Sequence, residues 1–201
     1  KEMGLKAVIR KRRKNLINKS KSTYTGNIYD NELNREFSAK KPGEKWVTDI
    51  TQLSIGPKKY YLSVIMDLYN NEIISYNVSR MNDNNLVLDT LEKAKSAIDN
   101  LSGILLHSDQ GHQYTSNDYK KYITIHNILP SMSRKGNCID NACIESFFSH
   151  FKEECYRIEQ PQSEEELRVA IRGYIHFYNH ERCQLKLNKL APVEYRHQLA
   201  A

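Results

Sequence analysis

No run of this chain approaches the ~18 consecutive apolar residues that a membrane-spanning helix needs, so no membrane span is expected. The basic opening residues Lys1–Lys21 are followed by no apolar stretch or cleavage pattern, which argues against a secretory signal. The four cysteines, Cys138, Cys143, Cys155 and Cys183, form no CxxC pair, which excludes zinc-ribbon spacing and a disulfide framework. Scattered free thiols fit a reducing cytoplasm. A phosphate-cradling glycine loop and a GxSxG elbow are both missing, and no repeat or low-complexity tract appears. His107, Ser108 and Asp109 are consecutive, so they cannot form a hydrogen-bonded nucleophilic triad among themselves. His176 and His180 lie four apart with Cys183 beyond. They would suit zinc only with a further ligand, which the sequence does not supply.

What is present is an ordinary globular composition of 201 residues, 39% hydrophobic and 27% charged, enough for one medium domain with extensions. The chain opens on Lys rather than Met and is read as a piece of something longer. Its charge is uneven. Residues 1–22 hold nine Lys or Arg and one acid, and the rest carries a net charge of −2. The excess centres on Arg10, Lys11, Arg12, Arg13 and Lys14. Such an arm suits phosphate backbones, where counterion release drives binding. The same charge also suits a solvated helix or tail.

Periodicity sets out the elements. Residues 1–41 read as a basic arm and linker ending at Pro42-Gly43, a turn signal. Alternation predicts antiparallel strands over Lys45–Leu53, Tyr60–Tyr69 and Glu72–Ser79, with a hairpin turn around Gly56-Pro57. Caps at Asn82-Asp83-Asn84 open a helix striped by Leu86, Leu88, Leu91, Ala94 and Ile98. A short apolar strand, Gly103–Leu106, is expected to exit at His107–Gly111. A helix from Ser116 or Asn117 runs to about His126, a short strand covers Pro130–Ser133, and Arg134–Asn141 is a polar loop. Ala142–Tyr156 reads as one helix. Ser163-Glu164-Glu165-Glu166 is a capping box opening another, and Pro192–Gln198 a last short one. The order implies an α/β fold, a mixed sheet with helices on its faces.

Three carboxylates stand out. Asp49 lies among β-branched residues in the first strand, a costly place unless paired or coordinated. Asp109 follows the fourth strand, and Glu145 lies in the first turns of the helix after Asn141. Strand ends and helix starts are where α/β folds place chemistry. An all-oxygen set suits Mg²⁺ or Mn²⁺, and two such ions can activate a nucleophile and stabilise a leaving oxygen in phosphoryl transfer. On the Glu145 helix, Ile144, Phe147, Phe148, Phe151 and Cys155 form the buried face. Glu145, Ser149 and Lys152 share another, which places a cation where it can reach phosphate. Taken alone, Glu145 is better read as part of an ordinary exposed helix face.

Asp67 reads as a polar group at the sheet's end, Asp140 as a helix cap and Asp118 as exposed. Arg134 and Lys135 lie on a flexible loop that could contact DNA or simply move. Gln110, His112 and Tyr114 could position a substrate strand. Tyr174, Tyr178, Asn179 and Arg182 could touch DNA or a second subunit, with core packing the simpler reading for the tyrosines.

Asp49, then Asp109, then Glu145 with 35 residues between the last two, then Lys152, resembles the DD(35)E signature of integrase-type transposases. The local words Trp46-Val47-Thr48-Asp49-Ile50-Thr51, His107-Ser108-Asp109-Gln110-Gly111 and Asp140-Asn141-Ala142-Cys143-Ile144-Glu145 resemble the insertion-sequence-three family of bacterial transposases. So do Tyr178-Asn179-His180-Glu181-Arg182 and Leu190-Ala191-Pro192-Val193-Glu194-Tyr195. The resemblance implies a ribonuclease H-like five-stranded sheet over 42–160, with 161–201 as a C-terminal helical extension. It implies two Mg²⁺ ions on Asp49, Asp109 and Glu145, with Mn²⁺ able to substitute, and Lys152 as the matching basic residue. It further implies strand cleavage, with water as first nucleophile, then 3′-hydroxyl strand transfer. The partners implied are double-stranded DNA and further copies assembled on it, in the bacterial cytoplasm at the nucleoid. Two rivals stay open: a ribonuclease H-fold nuclease that cuts without joining, and a truncated DNA-binding regulator.

Overall fold

The computed structural model describes residues 26–98 and 100–199; the basic run Arg10–Lys14 lies outside them. Alternation along the chain becomes a sheet whose two faces each bury a different core. β1 (Lys45–Ile55), β2 (Lys58–Asp67) and β3 (Ile73–Ser79) form an antiparallel meander. Gly56, at φ +54°, lets the first hairpin turn. β4 (Leu105–Ser108) and β5 (Leu129–Met132) add parallel to β1, in the order β3-β2-β1-β4-β5. This is the mixed five-stranded sheet expected of a ribonuclease H-like fold.

Successive β1 side chains point to opposite faces. Trp46 joins Ile65, Leu106, Leu91 and Tyr119 on the side of α1 (Asn84–Ala97) and α2 (Asn117–Ile125). Val47 and Leu53 join Leu62, Val64, Phe147 and Ile171 on the side of α3 (Ala142–Phe151) and, after the three-residue α4 (Arg157–Glu159), α5 (Glu164–His180). The helix starts are set by the expected caps. Asp83 accepts from Leu86 N at 3.1 Å, Ser116 from Tyr119 N at 3.2 Å and Ser163 from Glu166 N at 3.2 Å. α6 (Pro192–Leu199) begins at its proline. Among the described residues no helix is long and apolar enough to cross a membrane.

Several expectations are corrected. β4 begins two residues later than its apolar run and takes in His107 and Ser108. Gly103, at φ +82°, belongs to a turn in which Ile104 N bonds Leu101 O, so strand pairing starts only when Leu105 N reaches Glu44 O. His107 is fully buried (0% exposed), and its two ring nitrogens pair with Ser131 Oγ at 2.8 Å and Ser133 Oγ at 3.0 Å. Burial pushes its pKa down to about 4, so the ring is neutral at pH 7. A polar residue is stable inside this strand because both its polar atoms are satisfied.

The Glu145 helix does not run unbroken to Tyr156. Lys152–Tyr156 is π-helical, with Arg157 N bonding Lys152 O. Within this turn Tyr156 OH both donates to Ser54 O and accepts from Ser54 N, and Glu154 receives Tyr174 OH and Arg182. The linker is also structural. Leu33 is buried, its N–H donates to Ser131 Oγ at 3.0 Å, and Asp30 O accepts from Met132 N at 3.1 Å, which covers the outer edge of β5. α5 shares one core with the sheet through Leu167, Ile171, Tyr174, Ile175 and Tyr178.

Asp140 is not a cap. The cap position of α3 is Asn141, and Asp140 lies in the preceding 3-10 turn, Cys138–Asn141, with no exposure. Its carboxylate accepts from Asn31 Nδ2 (3.1 Å), Arg35 Nε (2.8 Å), and Arg134 N (3.1 Å), Nε (2.9 Å) and Nη2 (2.9 Å). The Arg134 guanidinium holds it well below the usual carboxylate range. A depressed carboxyl stabilises the fold above its unfolded-state pKa and loses that contribution as pH falls through the folded value. Asp140→Ala should therefore lower the Tm at pH 7 and hasten proteolytic cutting between 133 and 137. In melts repeated at decreasing pH, its gap from the unaltered chain should narrow below about pH 4.

Candidate active site

The site begins where two parallel strands part. β1 and β4 pair through Lys45↔Leu105, Trp46↔Leu106 and Val47↔His107, and no further. Asp49 and Asp109 each stand two residues beyond that last pair. An equal offset on parallel strands puts the two carboxylates side by side. The two-residue period keeps Asp49 on the Val47 face, towards α3. The chain order of the sheet also reverses between β1 and β4, the crevice in which open α/β sheets bind ligands.

α3 supplies the opposite wall. Ile144, Phe147, Phe148 and Phe151 anchor it against the sheet, which leaves Glu145 on its exposed side at the first turn. Lys152, seven residues on, donates to Thr51 Oγ1, two residues past Asp49 on the same strand face. The expected Glu145–Lys152 face therefore exists, and it faces β1 as well as solvent.

The charge of Asp109 perturbs both Asp49 and Glu145. Burial, then the charge of Asp109, raises Asp49 to about 7, with Glu145 adding to the rise; the Ile50 N–H (2.7 Å) and Lys152 oppose it. Asp109 opens to solvent on one side, yet burial against the protein raises it, opposed by the Gly111 N–H (2.9 Å) and His112. Glu145 is raised by partial burial and then by Asp109. Like charges gathered in a poorly solvated space hold protons strongly, and for the same reason attract a cation.

Gly111 gives this arrangement its room. A Cβ there would lie 2.9 Å from Asp109 Oδ1 and 3.1 Å from Gln113 Oε1, too close for either to stay in place.

The donors are all carboxylate oxygens, which fits hard divalent cations and not soft ones. Among the described residues no three His, Cys, Asp or Glu side chains form a closed ligand set. Mg²⁺ usually binds through one or two carboxylates and completes its shell with water and phosphate, so an open pair of aspartates with a nearby glutamate suits it.

Other candidates fall outside this cluster. Asp67 pairs with Trp46 in register and accepts from Gly43 N (2.7 Å), Trp46 Nε1 (3.2 Å) and Tyr69 N (2.8 Å), so it ties the linker to the sheet. Asp118 accepts from Asn84 Nδ2 at 3.0 Å on the surface. Tyr114 is buried, its OH 3.2 Å from Thr48 Oγ1, and belongs to the core rather than to a substrate surface. Gln110 bonds Ser133 O (3.1 Å) and His112 bonds Asn82 O (3.1 Å). Tyr174 and Tyr178 pack on Phe147, Asn179 bonds both backbone groups of Ile73, and Arg182 pairs with Glu154. His176 and His180 stack 4.6 Å apart on α5. Arg134 is bound to Asp140, and Lys135 stays exposed on the same loop.

The sequence reading missed Thr51 and Asn141. Thr51 was within reach of a strand-period argument, being two residues from Asp49. Asn141 sits inside a quoted motif, but its donor bond to Thr48 O at 3.2 Å spans 93 positions and leaves no local trace.

Comparison with known proteins accords with this geometry. Two family models, both described as integrase core domain, match residues 39–138 and 145–199. The chain is 42% identical to InsK of insertion sequence element IS150 from Escherichia coli K12, over 98% of this chain and 68% of InsK. It is 36% identical to the transposase InsF of insertion sequence IS3fB from the same organism, over 85% of this chain and 60% of InsF. The catalytic core domain of the HTLV-2 integrase, solved in complex with magnesium in a dimeric form, superposes with a TM-score of 0.62 at 17% identity, covering 78% of this chain and 98% of that one. That likeness establishes the ribonuclease H-like integrase fold. The sheet, the two matched core models and the IS150 and IS3 relatives together place this chain in the insertion-sequence-three family of transposases, with an integrase catalytic core.

Proposed function

We propose that this chain is a polynucleotidyl transferase that cuts DNA at the ends of an insertion sequence and joins the freed ends to a target, with Asp49, Asp109 and Glu145 as its catalytic carboxylates. The observation that carries the reading is the equal offset of Asp49 and Asp109 past the split of β1 and β4, with Glu145 opposite and the charge of Asp109 raising both Asp49 and Glu145. Two Mg²⁺ ions, or Mn²⁺ in their place, would supply nucleophile activation and charge neutralisation at the phosphate. The residues of the chain do the rest. The carboxylates fix where the reacting phosphate sits, and Gly111 N–H holds Asp109 in place. Lys152 keeps a positive charge beside Asp49 and next to the path of the backbone. In the first step the oxygen of water bonds to phosphorus and the bond to the 3′ oxygen breaks, leaving a 3′-hydroxyl. In the second that hydroxyl bonds to a target phosphate and displaces a new 3′ oxygen.

Exposed Lys135, the outer edge of Arg134 and the arm Arg10–Lys14 are assigned to phosphate contacts. Residues 42–160 form the catalytic core in this reading, and 161–201 a helical extension packed on it. Work at paired ends implies several copies on one DNA.

Incubation with a pre-nicked, labelled DNA end tests the reading. Joining to a second DNA should require Mg²⁺ or Mn²⁺ and stop with EDTA. Asp49→Asn, Asp109→Asn and Glu145→Gln should each lose at least ~10³-fold in joining while binding DNA nearly as before. Cutting without joining would favour a nuclease, and binding alone a regulator. Gly111→Ala should fold, yet lose joining as Asp109 is displaced; unchanged joining would remove Gly111 from the account.

Two further outcomes concern charge. A raised carboxyl favours the fold below its unfolded-state pKa, and that stabilisation is lost as pH climbs through the folded value. With EDTA present, the Tm of Asp49→Asn should therefore gain on that of the unaltered chain as pH rises from about 4 through about 7, the opposite contribution of His107 being common to both. Lys152→Ala should lower the slope of log affinity against log salt by about one. It should also move the pH profile of joining upward, since Lys152 holds the pKa of Asp49 down.

A further inference from the structure

Asn141 occupies the cap position of α3, where an asparagine side chain ordinarily accepts from a backbone N–H of the first turn. Here it makes no such bond. It is 3% exposed, and its Nδ2 donates instead to Thr48 O of β1 at 3.2 Å. Its Oδ1 is buried without a hydrogen-bond partner among the described residues. A residue that forgoes capping and leaves an acceptor unsatisfied costs the fold stability, so its placement calls for another reason.

The carbonyl it binds supplies one. Glu44 O faces β4, where it accepts from Leu105 N at 3.0 Å, and the strand period puts Thr48 O on the same side. By Thr48 the β1–β4 ladder has ended, at Val47↔His107. Asn141 thus takes up a carbonyl that the departing strand no longer pairs. Thr48 immediately precedes Asp49, and Asn141 stands at the cap position of the helix whose first turn carries Glu145. A single hydrogen bond therefore links the strand bearing one carboxylate to the helix bearing another, at the point where both are closest to it in sequence.

We propose that Asn141 is a positioning residue that sets the separation of Asp49 from Glu145, and with it the affinity of the site for divalent cations. This rests on the carboxylate reading given above. Asn141 touches no reacting atom in this account; it acts through Thr48 and the first turn of α3.

The test uses the full chain and Mn²⁺ alone as probe. Asn141→Leu keeps the volume while removing both the tether and the orphaned acceptor. Its Tm in EDTA should equal or exceed that of the unaltered chain. The Mn²⁺ concentration giving half-maximal thermal stabilisation should rise about 10-fold or more, the range for residues that orient metal ligands. Joining should recover as Mn²⁺ is raised. Asn141→Ala, which leaves a gap and melts lower, should show the same weakening of the Mn²⁺ response. A Mn²⁺ response equal to the unaltered chain's in either variant would overturn the proposal. So would a lower Tm in Asn141→Leu whose joining no concentration of Mn²⁺ restores, since that is the mark of a purely structural bond. Asp49→Asn serves as control. If it binds Mn²⁺ as tightly as the unaltered chain, the carboxylate reading itself has failed, and the positioning role falls with it.

Discussion

The parting of β1 and β4 after Val47↔His107 is the constraint from which the rest of the structure follows. Two adjacent parallel strands that separate leave backbone groups without ladder partners and open a cleft in the middle of a sheet. Asp49 and Asp109 occupy that cleft at matched positions, and burial there is what raises both carboxyls. A sheet that stayed paired for two more residues would close the space, and one that parted earlier would lose the register that aligns the two aspartates.

Holding the cleft open takes support from both faces and both ends. On one face the aromatic side of α3 packs on the sheet with α5, so the Glu145 wall rests on Phe147, Phe151, Tyr174 and Tyr178. On the other, Tyr114 backs Thr48. At the end of β4 a neutral His107 bridges two serines and fixes the strand just before Asp109. Asp140 gathers the linker and the 134–137 loop at the foot of α3. His107 and Asp140 have hydrogen-bond partners for their polar atoms, while the carboxylates are left facing one another. Their mutual repulsion is of the kind that a divalent cation would relieve.

The strands of the meander and the helices α1, α2 and α5 were legible because each carries its own period and cap, as Asp83, Ser116 and Ser163 illustrate. The carboxylates were legible because Asp49 is anomalous in a strand and the spacing to Asp109 and Glu145 matches a known pattern. What the sequence hid depends on partners far along the chain. His107 and Ser108 read as an exit from β4 because nothing nearby announces Ser131 and Ser133. Asp140 read as a cap because Asn31 and Arg35 lie more than a hundred positions away and Arg134, six before it, sits in a loop with no period of its own. Tyr114 read as able to position a substrate strand because its partner, Thr48, lies 66 positions away. The π-helical turn at Lys152–Tyr156 leaves no composition signal; Tyr156 meeting Ser54 and Glu154 meeting Arg182 accompany it. Local chemistry was readable, and long-range hydrogen bonding was not.

The claim on which everything else turns is that the β1–β4 cleft holds the metal. Anomalous diffraction from crystals soaked in Mn²⁺ tests it directly. The account predicts manganese density bound by carboxylate oxygens of Asp49 and Asp109, facing Glu145, and none at that place in crystals of Asp49→Asn. Manganese bound only elsewhere, or a cleft that stays empty at saturating Mn²⁺, would contradict it.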